Sequence, residues 1–323
     1  MRHFFTRHFP DRIPFFGLLL LLTAAILPQA ANANDLRCPL SLGVFAYLGQ
    51  EETRAIYTPL VDYLNRILTD ERIVLHVLSQ EEIYRGVADG KLDIVTTNPT
   101  HFLVIRKQFP LTGVIATRVT ERLGKPVHHL AGVIVTLANQ EKIKTLADIR
   151  GKHIATPSTQ HMGGYRAQAY TLYKQGIVLP EDAASVRAVE THQAVIKALR
   201  SGEAEVGFVR EGVLEMLAER GEIQLADFRV IHLQKHPNFP FLASTQLYPE
   251  WPVFALPHVP ERAVRRLAAA LFSLDPNHPA ARAAGIAGYT VPADYLQVEE
   301  LSRTLRLPPF DKNLDITWTD IWQ

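Results

Sequence analysis

Gly90-Lys91-Leu92-Asp93-Ile94-Val95-Thr96-Thr97-Asn98-Pro99-Thr100-His101-Phe102 holds the end of one helix, a short strand and the start of another helix. Gly90 suits the left-handed residue that stops a helix. Leu92 to Val95 is an apolar run of strand length. Asn98 can cap the next helix with its side-chain oxygen, and Pro99 fits the first turn, where no N–H is needed. A strand fed by one helix and feeding another is the repeating unit of an α/β fold.

The same grammar extends in both directions. Upstream, Leu40 to Phe45 and Ile73 to Leu78 read as strands. Between them, Thr53 to Leu68 places Ile56, Leu60, Leu64 and Ile67 on one helical face. Ser79-Gln80-Glu81-Glu82 is a capping box that opens the helix ending near Gly90. Downstream, Gly132 to Thr136 is a buried strand, and the rhythm then restarts. A short helix, Lys144 to Lys152, is stopped by Gly151, and His153 to Ala155 is a strand. Met162 to Gln175 is a helix stopped by Gly176. A strand at Val186 to Val189, a helix at Thr191 to Arg200 and a strand at Val206 to Val209 follow. Pro240 to Leu256 holds two more apolar stretches. Glu261 to Leu274 and Asp294 to Leu305 then read as helices, with no further strand series. Two passes of equal grammar predict two lobes, each a mixed sheet flanked by helices. One lobe takes residues 34–132 and 247–323, the other residues 133–246. Two crossing segments between them make a hinge over a cleft.

The N-terminus reads as a secretory signal peptide. Arg2, Arg7 and Arg12 precede the apolar run Phe15 to Leu27, and Ala31-Asn32-Ala33 offers a cleavage site. That run is well short of the ~20 residues that span a bilayer as a helix. Residues 1–33 carry three Arg and one Asp. Removing them from 34 Lys+Arg and 33 Asp+Glu leaves 31 and 32. A near-neutral surface argues against nucleic acid, which selects a clustered basic footprint. A single cysteine cannot form an internal disulfide, so the core must hold the fold. The expected address is the periplasm, and the expected state a monomer.

The chain also resembles the type II periplasmic binding proteins of the phosphonate, phosphite and phosphate transporter class. It is most similar to the sensor variants of that fold found in tetrathionate-sensing histidine kinases. The residues that carry the resemblance are Gly43 to Gln50 with Tyr47, the Gly90–Phe102 stretch, and Leu146 to Lys152. Gly163-Gly164-Tyr165 and Thr191-His192-Gln193-Ala194-Val195, leading to Gly202 through Gly207, complete them. One stretch departs from the pattern. Where phosphonate binders carry a compact Ser/Thr run ending Ser-Gly-Tyr, this chain has Pro157-Ser158-Thr159-Gln160-His161-Met162-Gly163-Gly164-Tyr165. The resemblance implies a non-enzymatic domain that closes on a small anion. It implies as partner an ABC-transporter permease or, alternatively, a membrane sensor kinase.

Strand-to-helix turns with small polar residues suit an anion, because helix N-termini present unpaired N–H groups and partial positive charge. The candidate ligand residues are Tyr47, Thr97, Asn98, His101, Ser158, Thr159, Gly163, Gly164, His192 and Arg210. Gly163 and Gly164 allow close backbone approach. Arg210, directly after a strand, could grip an oxyanion with two nitrogens. Plainer roles stay open: Asn98 and Thr191 as helix caps only, and Arg210 as the partner of Glu211 or Glu215. The sequence holds no G-x-S-x-G, H-E-x-x-H, Walker or G-x-G-x-x-G motif. A periplasmic hydrolase is therefore the remoter alternative. No cofactor or metal is expected, since no Cys/His spacing matches a known metal site.

Overall fold

The computed structural model describes residues 37–311. The expected signal peptide lies outside them, as does the Trp-containing C-terminal tail. No helix among the described residues is long and apolar enough to cross a membrane. The strands, in chain order, begin with β1 (Cys38–Phe45), β2 (Glu71–Leu78), β3 (Ile94–Thr96), β4 (Gly113–Arg122) and β5 (Lys125–Val127). They continue with β6 (His129–Leu130), β7 (Gly132–Leu137), β8 (His153–Thr156), β9 (Ser185–Ala188) and β10 (Val206–Arg210). The last four are β11 (Phe228–Ile231), β12 (Tyr248–Pro249), β13 (Pro252–Ala255) and β14 (Ile286–Thr290). The helices begin with α1 (Gln50–Ile67), α2 (Gln80–Ala88), α3 (Pro99–Gln108), α4 (Ala167–Tyr173) and α5 (His192–Ser201). They end with α6 (Val213–Glu219), α7 (Glu261–Phe272), α8 (Pro279–Ala283) and α9 (Leu296–Thr304).

These strands form two mixed sheets and a short ribbon. The first sheet runs β14-β4-β13-β3-β1-β2, with β5 paired to β4. The second runs β11-β7-β10-β8-β9. The ribbon is β6 against β12, antiparallel, with Tyr248 opposite Leu130. It lies in the two stretches of chain that pass between the sheets.

Alternation of side chains gives each sheet two buried faces. In the first sheet Ile94 and Val253 join Leu60, Leu64, Leu267 and Leu271 of α1 and α7. Their neighbours Val95 and Phe254 face the other way, toward Ile83, Phe102, Ile105 and Val298 of α2, α3 and α9. In the second sheet Val133, Val135 and Val209 pack on α5 and α6, while Ile134 and Phe208 pack on Leu172 of α4. Strands apolar on both faces are what a sheet covered by helices on each side requires. Each fully buried Leu, Ile or Phe contributes roughly 1.5–3 kcal/mol.

Local signals acted as expected at α2 and α3. Ser79 Oγ accepts from the Glu82 N–H at 3.2 Å, and Glu82 returns the bond to the Ser79 N–H at 2.8 Å. Asn98 Oδ1 accepts from the His101 N–H at 2.9 Å. Elsewhere the structure corrects the sequence reading. No strand series follows the Pro240–Leu256 region, but one strand the sequence reading did not mark, β14, does, and its register shifts between Ile286 and Gly288. A glycine and a bulge blur the two-residue period there. β4, β11 and α6 were not foreseen. The ten-residue β4 hides because Arg118, Thr120 and Arg122 interrupt its apolar pattern. The short helix after Lys144 is a single 3-10 turn, Leu146–Ile149. The Met162 helix opens as a π-turn, Met162–Arg166, before α4 begins.

Candidate anion site

β4 carries Arg118, Thr120 and Arg122 at alternate positions, so all three share one face. Arg210 ends β10 in the other sheet, Glu211 follows it, and Glu250 follows β12. Fold topology brings these charges together. Arg118 Nη2 donates to Glu250 Oε2 at 3.0 Å, and Arg210 Nη2 donates to Glu250 Oε1. Arg210 Nε donates to Glu211 Oε1 at 2.8 Å, and Arg122 Nε stands 3.1 Å from the same oxygen. Glu211 Oε2 accepts the Ala131 N–H at 3.0 Å. Both carboxylates are fully buried, and each bridges an arginine of the first sheet to Arg210 of the second.

Burial alone pushes the Glu250 carboxyl up, but Arg210, Arg118 and Arg122 outweigh it and hold it at about 2. Burial likewise pulls on the Arg210 guanidinium, and Glu211 and Glu250 more than reverse it, so its pKa rises. Three guanidinium groups against two carboxylates leave one positive charge in excess.

An aromatic wall stands beside this cluster. The Arg118 guanidinium lies 4.4 Å from the Trp251 ring centre, a cation–π contact. Tyr47 meets Trp251 edge-on at 5.0 Å, and Phe45 stacks on it at 5.8 Å. Tyr47, Arg118, Arg122, Arg210 and Arg282 line one cavity of about 330 Å³, together with one carboxylate, Glu121.

On its other flank Arg210 packs against the π-turn. A Cβ on Gly163 would stand 3.0 Å from Arg210 Cγ and 3.1 Å from the Ala131 carbonyl oxygen. One on Gly164 would stand 2.7 Å from Pro157 Cγ. A side chain at Gly164 would force its neighbour to move, and one at Gly163 would press on the Arg210 side chain. His161, Arg166 and His192 complete the flank. Burial lowers the His192 imidazole to about 3, helped by Arg210, His161 and Arg122. Burial also lowers His161, helped by Arg166 and Arg210. The Arg166 guanidinium is lowered by burial to about 10, which leaves it charged. Arg166 Nε and His192 Nδ1 are buried without a hydrogen-bond partner among the described residues. Buried donors left unmatched cost roughly 1–3 kcal/mol each, and more for a charged group.

The candidates named from sequence thus fall into two groups. Tyr47, Gly163, His192 and Arg210 gather around the arginine cluster. Arg210 takes up the pairing with Glu211 that was left open, while Glu215 Oε1 accepts the Leu242 N–H at 2.7 Å instead. Gly164 belongs to the same turn, but its carbonyl accepts from Thr156 Oγ1 at 2.6 Å. Thr97, Asn98 and His101 are linked by hydrogen bonds around the start of α3, and His101 also bonds to the Gln80 backbone. Thr97 Oγ1 lies 2.9 Å from His101 Nδ1, and Asn98 Oδ1 takes both the His101 N–H and the Thr100 hydroxyl. His101 is buried, and that burial lowers its imidazole to about 4. Ser158 Oγ accepts from Gln160 N–H at 3.2 Å within its own loop, and Thr159 is exposed. Arg118, Arg122, Arg166, Glu250 and Trp251 escaped the sequence reading. The available signal was the Arg118-x-Thr120-x-Arg122 alternation, which puts cations on one face of any strand.

Known proteins fit this architecture. The profile of the family described as ABC transporter, phosphonate, periplasmic substrate-binding protein matches residues 42–295. A tetrathionate sensor histidine kinase of Salmonella typhimurium is 29% identical over 282 residues, 87% of this chain and 45% of the kinase. The chain therefore spans under half the length of that relative. Among solved structures, a protein from Prochlorococcus marinus in complex with methylphosphonate superposes with a TM-score of 0.61 at 17% identity. The match covers 84% of this chain and 99% of that one. A binding protein component of an ABC phosphonate transporter from Pseudomonas aeruginosa gives 0.58 at 12% identity, covering 84% and 87%. The fold is that of type II periplasmic binding proteins.

Proposed function

This chain belongs to the family of phosphonate ABC-transporter periplasmic substrate-binding proteins, and from that premise we propose that it captures a small phosphorus or sulfur oxyanion reversibly. No covalent step is involved. The reading takes residues 34–132 with 247–323 as one lobe and residues 133–246 as the other. The lobes hinge where β6 pairs with β12, and the ligand enters between them beside Arg210.

One observation carries the reading: the linked charge at the sheet junction is unbalanced toward positive. Arg118, Arg122 and Arg210 pair with Glu211 and Glu250, Arg282 and Glu121 of the same cavity add one charge of each sign, and Arg166 Nε and His192 Nδ1 are buried without a hydrogen-bond partner among the described residues. Uncompensated buried charge costs several kcal/mol. An oxyanion relieves that cost by accepting hydrogen bonds from the same groups, and charge-assisted bonds of this kind are the stronger ones. A cationic or neutral ligand would not.

Similarity to a sensor kinase over 87% of the chain favours a second reading of the use made of capture. In that reading the loaded protein is presented to a membrane histidine kinase rather than to an ABC permease. Export to the periplasm suits either partner. A thermal-shift panel tests capture itself, because a ligand at 100 times its Kd adds ~2.7 kcal/mol. Sulfate, thiosulfate, tetrathionate, phosphate and methylphosphonate should include at least one stabiliser, with arginine and glucose inert. Stabilisation by the neutral or cationic compounds alone would refute anion capture. The two uses part on reconstitution: loaded protein either raises kinase autophosphorylation or stimulates permease-coupled ATP hydrolysis.

A further inference from the structure

Gln168, in the first turn of α4, is fully buried. Its Nε2 donates to the Gly163 carbonyl at 2.8 Å and to the Val209 carbonyl at 3.0 Å. Gly163 sits in the π-turn between His161 and Arg166, and Val209 immediately precedes Arg210. One amide therefore ties the turn that carries His161 and Arg166 to the strand that carries Arg210. Room for it comes from a third glycine. A Cβ on Gly132 of β7 would stand 2.6 Å from Gln168 Nε2.

The arrangement is not what stability alone would select. Gln168 Oε1 is buried without a hydrogen-bond partner among the described residues. A stranded acceptor costs roughly 1–3 kcal/mol, a cost that an apolar side chain of the same shape would avoid. Methionine is close to that shape. Glutamine gains over it the two N–H bonds that fix Gly163 against Val209. Thr156 Oγ1 holds the adjoining Gly164 carbonyl at 2.6 Å, so the diglycine is pinned by a side chain on each side. Only the Gln168 pin reaches the Arg210 strand.

We propose that Gln168 is a positioning residue for anion binding: its amide sets the spacing between Arg210 and the His161–Arg166 turn. This rests on the oxyanion reading of the site. A fork that donates hydrogen bonds to an anion loses affinity when its neighbours drift by a fraction of an ångström, because charge-assisted bonds are short and directional. Gln168 acts through the Gly163 and Val209 carbonyls, with a longer bond of 3.5 Å to the Val133 carbonyl of β7 beside them.

The test titrates thiosulfate and methylphosphonate into the full chain and into Gln168→Met, Arg210→Lys and the double variant. Binding is measured at 25 °C, well below each unfolding midpoint. Gln168→Met is expected to weaken Kd at least tenfold, and the loss from Arg210→Lys should be much smaller in the Met background than in the parent. Effects on the unfolding midpoint should simply add. A folded Gln168→Met protein with unchanged Kd overturns the proposal, as do Kd losses that multiply independently. If Gln168→Met does not fold, Gln168→Asn takes its place under the same criteria, since it keeps the amide and withdraws it by one methylene. Failure of the parent to bind either anion is a different result. It removes the oxyanion reading itself.

Discussion

Two nitrogens of Arg210 already face carboxylates, so an entering oxyanion meets a guanidinium held in place by Glu211 and Glu250. Arg210→Ala should therefore weaken anion binding by several kcal/mol and also destabilise the fold, because two buried carboxylates lose their shared partner. Arg210→Lys should recover part of the charge and little of the geometry. Calorimetric titration gives the first effect and urea unfolding the second. Glu250→Gln should cost about 3–5 kcal/mol of stability, the range for breaking a buried pair from one side. Proton linkage at His101 has a defined sign. Its folded value, about 4, lies below the ordinary value of 6.5, so the unfolded chain binds more protons between them. Stability contributed by neutral His101 is present above pH 6.5 and is lost as pH falls toward 4. The loss is on the order of 3 kcal/mol, and it should appear as a falling urea midpoint from pH 7 to 5. His101→Gln should flatten that slope. Glu250, held at about 2, adds its own loss only below pH 4.5.

At the scale of elements, the turns divide into those that support the fold and those that shape the site. Asn98 caps α3 with its side-chain carbonyl oxygen. Asn98→Ala should cost ~1 kcal/mol of stability and leave anion affinity unchanged. Gly163→Ala should act in the opposite proportion. Its new Cβ would press on Arg210 Cγ at 3.0 Å and on the Ala131 carbonyl, so Arg210 must shift and affinity should fall at least as clearly as stability. What the sequence showed follows the same division. β1, β3, β7 and β10 were readable because each is a short apolar run bounded by glycine or a cap. β4 was not readable because Arg118, Thr120 and Arg122 stand where a strand normally shows apolar side chains. The π-turn was invisible because it differs from an α-turn only in hydrogen-bond spacing, which leaves the apolar pattern of Met162 to Gln175 unchanged.

For the whole molecule, the site exists only after both sheets and the β6–β12 ribbon are assembled. Glu250 is 132 residues from Arg118 and 40 from Arg210, and neither separation leaves a local pattern in the sequence. Arg210 alone could be picked out, because it directly follows an apolar strand. Since the positive charge in excess is carried by arginines, and His192 is neutral above pH 4, affinity for thiosulfate, which does not itself titrate in this range, should stay flat from pH 6 to 8. A rise in affinity with falling pH would instead assign the grip to a protonated imidazole. The central claim is that the surplus arginine charge at the sheet junction captures an oxyanion. Its most direct test is isothermal titration of the purified protein with thiosulfate, tetrathionate and methylphosphonate, run beside Arg166→Gln and Arg210→Ala. Saturable one-to-one binding of at least one anion, weakened tenfold or more in each variant, is the expected result. Equal affinity in the parent and both variants would contradict it.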